Sequence, residues 1–394
     1  MLNVTPFHPR TSALCLSQAW RRWAGHVVAS SYELNHEREY HAIRNSAALL
    51  DVSPLYKYLI SGRDAARLLD RIVTRDIGRL EPHQVVYTTW CDSAGKVMDD
   101  GTISRLDESR YRLTSADPGL RWLWDNATGM DVSVEDVSAT TAALALQGPL
   151  SRAILERLVG RDLSALKYFR LSHETARGMP ITISRTGYTG DLGYEIWLDP
   201  ASALPLWDAL VEEGTPFGIT PAGMLALDMA RIEAGLMLLD VDYVSARRAL
   251  IEPQKSSPYE LNLGWTVRLD KGSFVGKNAL VAEKARGAEW QFTGIEVEWD
   301  SLERLYEAVG LPPRLPSAAW RTSVPIYAGG GQVGYATSGC WSPILKKYIA
   351  LAHLPATLGE GTHVEMEMTV EHHRKRAGAV VTRTPFFNPA RKRA

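Results

Sequence analysis

The chain has 394 residues, enough at ~100–200 residues per domain for two or three domains with a sizeable core. Apolar residues make up 45% and charged residues 23%, the balance of an ordinary globular protein. The formal net charge of −1 gives no global field to recruit nucleic acid or anionic lipid, so neither class of partner is expected.

The opening MLNVTPFHPR has no long apolar run after its charges, so no signal peptide is expected. No stretch approaches the ~20 apolar residues of a spanning helix. Cys15, Cys91 and Cys340 are odd in number and far apart, which gives no disulfide framework and fits a reducing cytoplasm. Residues 17–23 read as a helical turn with Trp20 and Trp23 on one face. Residues 35–50, NHEREYHAIRNSAALL, read as a helix capped by Asn35, with Tyr40, Ile43, Ala47 and Leu50 as its stripe. Strands follow at 56–61, 85–89, 96–105 and 110–115, with helices through Leu68 to Ile72 and near 119–127, the pattern of an α+β layer. Residues 141–147 read as a strand, 151–158 and 204–213 as helices. Residues 220–235 read as a helix with Thr220 as N-cap, Pro221 at N1 and Gly235 past its end. Residues 239–257 read as a long loop, and from about 290 the composition turns β-rich. Arg391, Lys392 and Arg393 read as a solvated basic end.

Residues 181–198, ITISRTGYTGDLGYEIWL, read as strand, tight turn, strand. Gly187, Gly190, Asp191 and Gly193 supply positive φ. Alternation puts Glu195 and Trp197 on one face and Tyr194, Ile196 and Leu198 on the other. A carboxylate beside a large aromatic can seat a flat heterocycle with adjacent N–H donors, such as a pterin. The plain alternative is a surface hairpin with a solvated Glu. Asp99 and Asp100 lie inside a strand, where Asp is disfavoured, and only one can enter a given site. By alternation Asp100 shares its face with Met98, Thr102 and Ser104. A buried carboxylate there could relay a proton or stabilise a developing cation. Arg231 suits either an ion pair with Asp228 in its own helix or a ligand carboxylate. Gly329-x-Gly331-x-x-Gly334 lacks the helix that a dinucleotide site needs, so it reads as a hairpin turn and not as a nicotinamide fingerprint. His36, His41, His372 and His373 have no metal-ligand spacing, and no metal is expected.

Several stretches resemble the glycine-cleavage T-protein (aminomethyltransferase) family of folate-dependent one-carbon enzymes. They are HEREYHAIRNSAALLDVS, VVYTTWCDSAGKVMDDGTI, ALQGP, SRTGYTGDLGYEIWL, LDMARIEAG, LGWTVRLDKGSFVGKNAL and GYATSGCWSPILKKYIAL, in family order over nearly the whole chain. The resemblance implies three domains in a cloverleaf around a central folate channel. A discontinuous first domain takes 1–52 and 140–250, a second 53–139 and 251–290, and a small β-barrel 291–394. It implies tetrahydrofolate as cofactor and an essential carboxylate on the Asp99-Asp100 pair, with Asp100 favoured. Tyr87 and Tyr188 would line the site, Glu195 with Trp197 would take the pterin, and Arg231 would meet the glutamyl tail. Departures from the family pattern fall at Pro54, Trp90, Asp191 and 238–258. They rank a small N-, O- or S-methylated donor, and hence a demethylase or methyltransferase, ahead of a lipoyl carrier protein and glycine cleavage. A non-catalytic folate-binding regulator is the other alternative. Residues 271–277, KGSFVGK, lack the Cys of the tRNA-modifying branch.

Overall fold

The computed structural model describes residues 3–393, so Met1, Leu2 and Ala394, at the ends of the signal-peptide reading and the basic tail, lie outside it. The described residues form a small three-stranded N-terminal sheet, a six-stranded sheet, a five-stranded sheet and a closed six-stranded barrel. The fold is therefore α+β with a C-terminal barrel, as expected.

The six-stranded sheet runs Leu171–Ala176, Met179–Ser184, Gly193–Leu198, Ala142–Gln147, Ala47–Asp51, Ile219–Pro221. Its two faces carry different cores. Leu49, Leu144, Leu146, Tyr194 and Ile196 pack under the helices Ser151–Val159 and Ala203–Gly214. Ala48, Leu50, Ala143, Ala145 and Trp197 turn the other way, toward the helices Glu37–Asn45 and Met224–Glu233. This alternation is what delivers Glu195 and Trp197 to the middle of the molecule. The five-stranded sheet runs Val85–Cys91, Val97–Arg105, Arg110–Ser115, Tyr56–Ser61, Ser133–Asp136, backed by the helices Ala65–Ile72 and Leu120–Ala127. The chain thus leaves the six-stranded sheet after Asp51 and re-enters it at Ala142.

Several sequence expectations are corrected. Residues 17–23 hold a strand, Trp20–Trp23, not a helical turn. The helix expected over 35–50 stops at Asn45, and Ala47–Asp51 is a strand between Ala142–Gln147 and Ile219–Pro221. A strand covered on both faces is a continuous apolar run with no period of its own, so AALL extended the helical stripe by accident. Thr220 and Pro221 end a parallel strand and do not cap a helix, which spans Met224–Glu233. Of Gly187, Gly190 and Gly193, only Gly190 has a positive φ, +73°. Gly187 and Gly193 are needed for closeness: a Cβ on either would sit 2.0 or 2.1 Å from Gln147 Oε1. Gly329 and Gly330 form the turn of a barrel hairpin, as expected.

The basic tail is docked on the body. Phe387 N–H donates to the Glu233 carbonyl, and Arg391 makes a two-pronged ion pair with Asp191 at 2.7 and 2.8 Å. No helix among the described residues is long and apolar enough to cross a membrane.

Candidate active site

Asp100 lies on the central-facing side of the five-stranded sheet, but not by simple alternation. The register slips between Trp90 and Cys91. Val97 joins the apolar cluster that contains Tyr87, Tyr188, Tyr243 and Trp197. Met98 turns into the opposite core with Trp90 and Ile103, against the expectation that it would share the face of Asp100. A bulge inserts one residue and resets which side chains face which way. Asp100 then accepts hydrogen bonds from Tyr87 Oη at 2.8 Å and Tyr243 Oη at 2.5 Å. Asp99 points elsewhere. It is 3% exposed, and its carboxylate accepts the backbone N–H groups of Asp100 and Asp117 at 2.8 and 3.0 Å.

Burial pushes both carboxyls above the ordinary Asp range, and Asp99 is pushed further by its charged neighbour. The two phenol donors pull Asp100 back toward the ionised form. Burial, then the Asp100 charge, pushes the Tyr87 and Tyr243 phenols well above their usual value, so both stay protonated donors.

Tyr243 comes from the irregular segment after the helix Met224–Glu233, and its neighbour Asp242 fixes it. Asp242 Oδ2 accepts from Arg231 Nη1 and from the Leu238 N–H at 2.8 Å. Oδ1 accepts from Thr337 Oγ1 at 2.5 Å and Ser338 Oγ at 2.7 Å, both on the barrel. The Asp242 carbonyl lies 2.6 Å from His353 Nε2. One carboxylate therefore ties helix, loop and barrel together and presents Tyr243 to Asp100. Arg231 is 0% exposed; its Nη1 donates to Asp242 and the Leu236 carbonyl, while Nε and Nη2 find no acceptor among the described residues. Through Nη1 it holds the loop. Tyr188 packs against the same apolar cluster, and its Oη donates to the Met237 carbonyl.

The other end of the site is Glu195. Its carboxyl is raised by burial, lowered by Thr186 Oγ1, which donates at 2.5 Å, and lowered again by the charge of Arg112. Arg112 stacks on the Trp197 ring, its Cζ 3.8 Å from the centroid, so that face of Trp197 is covered by a guanidinium. Burial lowers Arg112 to about 10, which leaves it charged at neutral pH. Its Nε and Nη2 find no acceptor among the described residues, nor does the buried Thr114 Oγ1 find a partner.

The two ends share a surface. In antiparallel pairs, residues directly opposite lie on the same face. Asp100 is followed on its strand by Thr102, opposite Thr114 and Tyr87, and by Ser104, opposite Arg112. Asp100 and Arg112 are therefore about 13 Å apart along the strand direction, four residues of rise, with Thr114 between them. A band of partnerless polar atoms ending in an ion-binding group at each end fits an elongated polar ligand. No group of three or more His, Cys, Asp or Glu among the described residues is arranged to hold a metal.

Sequence reasoning missed Tyr243, Asp242 and Arg112. Tyr243 and Asp242 sit in a segment with no periodicity. Arg112 had one legible signal: a charge at an inward position of RYRLTS. Two of the departures lie off the site. Trp90 is 3% exposed in the core behind the sheet, and Asp191 is occupied by Arg44 and Arg391.

Comparison with known proteins places the fold in a family. The family model for the GCVT N-terminal domain matches residues 16–271, and that for the glycine cleavage T-protein C-terminal barrel domain matches 307–388. An aminomethyltransferase of Halothermothrix orenii is 35% identical over 89% of this chain and 90% of its own. One from Moorella thermoacetica is 34% identical over 94% and 93%. The crystal structure of the glycine cleavage system aminomethyltransferase T from Bartonella henselae superposes with a TM-score of 0.82 at 23% identity, covering 98% of this chain and 99% of that one. The chain belongs to the glycine cleavage T-protein, or aminomethyltransferase, family of transferases.

Proposed function

We propose that the protein transfers a one-carbon unit from an aminomethyl group to tetrahydrofolate, with a lipoyl carrier protein presenting that group. The observation that carries this reading is the Asp100 carboxylate held between two phenols, on the same sheet face as Thr114 and Arg112 and linked by them to Glu195. The shared name of the curated relatives supports an aminomethyl donor over the small methylated donor that the sequence departures suggested. Trp90, one of those departures, faces away from the site.

The residues present fit the cofactor. Glu195 would take the N–H edge of the pterin, Trp197 and Arg112 would flank it, and Asp100 would meet the nitrogens nearer the reacting carbon. Bound tetrahydrofolate supplies the nucleophilic nitrogen that accepts the one-carbon unit. Asp100 Oδ1 and Oδ2, oriented by Tyr243 and Tyr87, stabilise positive charge developing beside them and receive a proton as it is released. Holding both partners in one enclosed site contributes up to ~7–11 kcal/mol of barrier lowering.

Methyl transfer from a small N-, O- or S-methylated donor stays in play on one observation. Tyr243 belongs to the segment that departs from the family pattern, and it touches Asp100. The deciding experiment incubates the protein with tetrahydrofolate and either aminomethylated lipoyl carrier or a panel of methylated amines, ethers and sulfonium compounds. Ammonia and the mass of the folate product are read. Ammonia release with the carrier, falling about 10²–10⁴-fold in Asp100→Asn while folate still binds, is expected. Turnover unchanged in Asp100→Asn would reject the site and leave the non-catalytic reading. Methylated folate from a small donor, with nothing from the carrier, would reject the aminomethyl donor.

A further inference from the structure

Arg112 and Glu195 are opposite charges in a buried setting that do not meet. No ion pair joins them within 4.0 Å, although the Glu195 carboxylate is the charge that Arg112 feels. Glu195 has a single side-chain hydrogen bond among the described residues, from Thr186. Arg112 is 5% exposed, with Nε and Nη2 lacking acceptors. Two such groups normally close on each other, because an unpaired buried charge is costly. Here the Trp197 ring holds the guanidinium by its face, and Trp197 Nε1 is itself pinned to Ser184 Oγ at 3.2 Å. Thr186 likewise holds the carboxylate. The strands carrying the two groups, Arg110–Ser115 and Gly193–Leu198, belong to different sheets.

The result is an adjacent donor–acceptor pair: Arg112 lies over the Trp197 ring, and Glu195 shares that ring's strand face. Its complement is a ligand edge that offers an N–H and, on the adjacent carbon, a carbonyl oxygen: a lactam. We propose that Arg112 is the residue that selects the 4-oxo form of the pterin, donating from Nε and Nη2 to the ring carbonyl while Glu195 accepts the neighbouring ring N–H. This rests on the reading of Glu195 as the pterin acceptor and extends it to a second residue. Arg112 lies about 13 Å from Asp100 along the strand direction, which places this selection at the ring end of the site and not at the donor end. A 4-amino pteridine replaces the carbonyl by an amine and the ring N–H by a bare nitrogen. It would set donor against donor at Arg112 and acceptor against acceptor at Glu195.

The test is equilibrium binding, by titration calorimetry, of tetrahydrofolate and of its 4-amino analogue to the wild-type protein, Arg112→Met, Arg112→Lys and Glu195→Gln. The wild type is expected to prefer tetrahydrofolate by about ten- to a hundred-fold, the range of one charge-assisted hydrogen bond gained and one mismatch avoided. Arg112→Met should weaken tetrahydrofolate, relieve the 4-amino analogue of its donor–donor clash, and so cut the preference about tenfold, to the share that Glu195 keeps. Arg112→Lys should recover part of it. A wild type that binds both forms within about threefold overturns the inference without any variant, as does an Arg112→Met protein that keeps the preference undiminished. A wild type that binds neither form, or a Glu195→Gln protein that binds tetrahydrofolate as tightly as the wild type, rejects the underlying pterin assignment instead.

Discussion

Replacing Asp242 by Ala removes the acceptor for four donors at once: Arg231 Nη1, the Leu238 N–H, Thr337 Oγ1 and Ser338 Oγ. The two hydroxyls have other recourse; Thr337 Oγ1 already donates to the Leu351 carbonyl at 3.2 Å. Arg231 has little. Its remaining countercharge, Asp228, sits 3.7 Å from Nε and is already engaged by Arg321 at 2.7 and 2.9 Å and by Arg21 at 3.3 Å. Orphaning one member of a buried pair costs about 3–5 kcal/mol, a large share of the ~5–15 kcal/mol that holds a typical domain together. The reverse change, Arg231→Met, leaves Asp242 with three donors and should cost less, about 1–3 kcal/mol. The double variant Arg231→Met/Asp242→Ala removes both charges and should be more stable than Asp242→Ala alone by over ~1 kcal/mol. Urea titrations with calorimetric melting of all four proteins close the cycle. Equal losses in the two single variants, or additive losses in the double, would refute the account of Asp242 as the hub.

The Asp100 carboxyl lies above the ordinary Asp range, so a reaction that needs it ionised loses rate on acidification earlier than an exposed Asp would allow. Tyr243→Phe removes a donor that favours the charged form, so the acid limb of kcat moves to higher pH; a limb that stays put or moves down would show that Tyr243 does not act on Asp100. At the other sheet, Gly187→Ala drives a Cβ into the Gln147 amide. It should cost about 1–3 kcal/mol in thermal unfolding, and Gln147→Ala in the same chain should return part of it. A neutral Gly187→Ala would mean that the loop gives way without loss.

How far the sequence could be read depended on which forces placed each residue. Glu195 and Trp197 were legible because the charge of Glu195 in an apolar strand marks one phase, and Tyr194, Ile196 and Leu198 supply the opposite one. The same rule failed at Asp100, where a bulge near Met98 resets the phase, and at Ala47–Asp51, where both faces are buried and no phase exists. Tyr243 was out of reach, and Arg112 showed only its inward charge, for a different reason. Their meaning lies in partners 143 and 83 positions away, Asp100 and Glu195, and no local pattern records such pairings.

The parts of the site that were hidden are also the parts that set its chemistry. In the proposed reading Glu195 takes a ring and Asp100 faces the reacting carbon. What decides which ring and which donor is how the space around those carboxylates is closed: by a guanidinium pinned to Trp197 at one end, and by a phenol delivered from the barrel side through Asp242 at the other. A change at either closure leaves both carboxylates in place. Specificity can therefore drift at Arg112 and in residues 236–258 while the two acidic positions stay fixed, and relatives that differ in donor should be sought by what occupies those two closures.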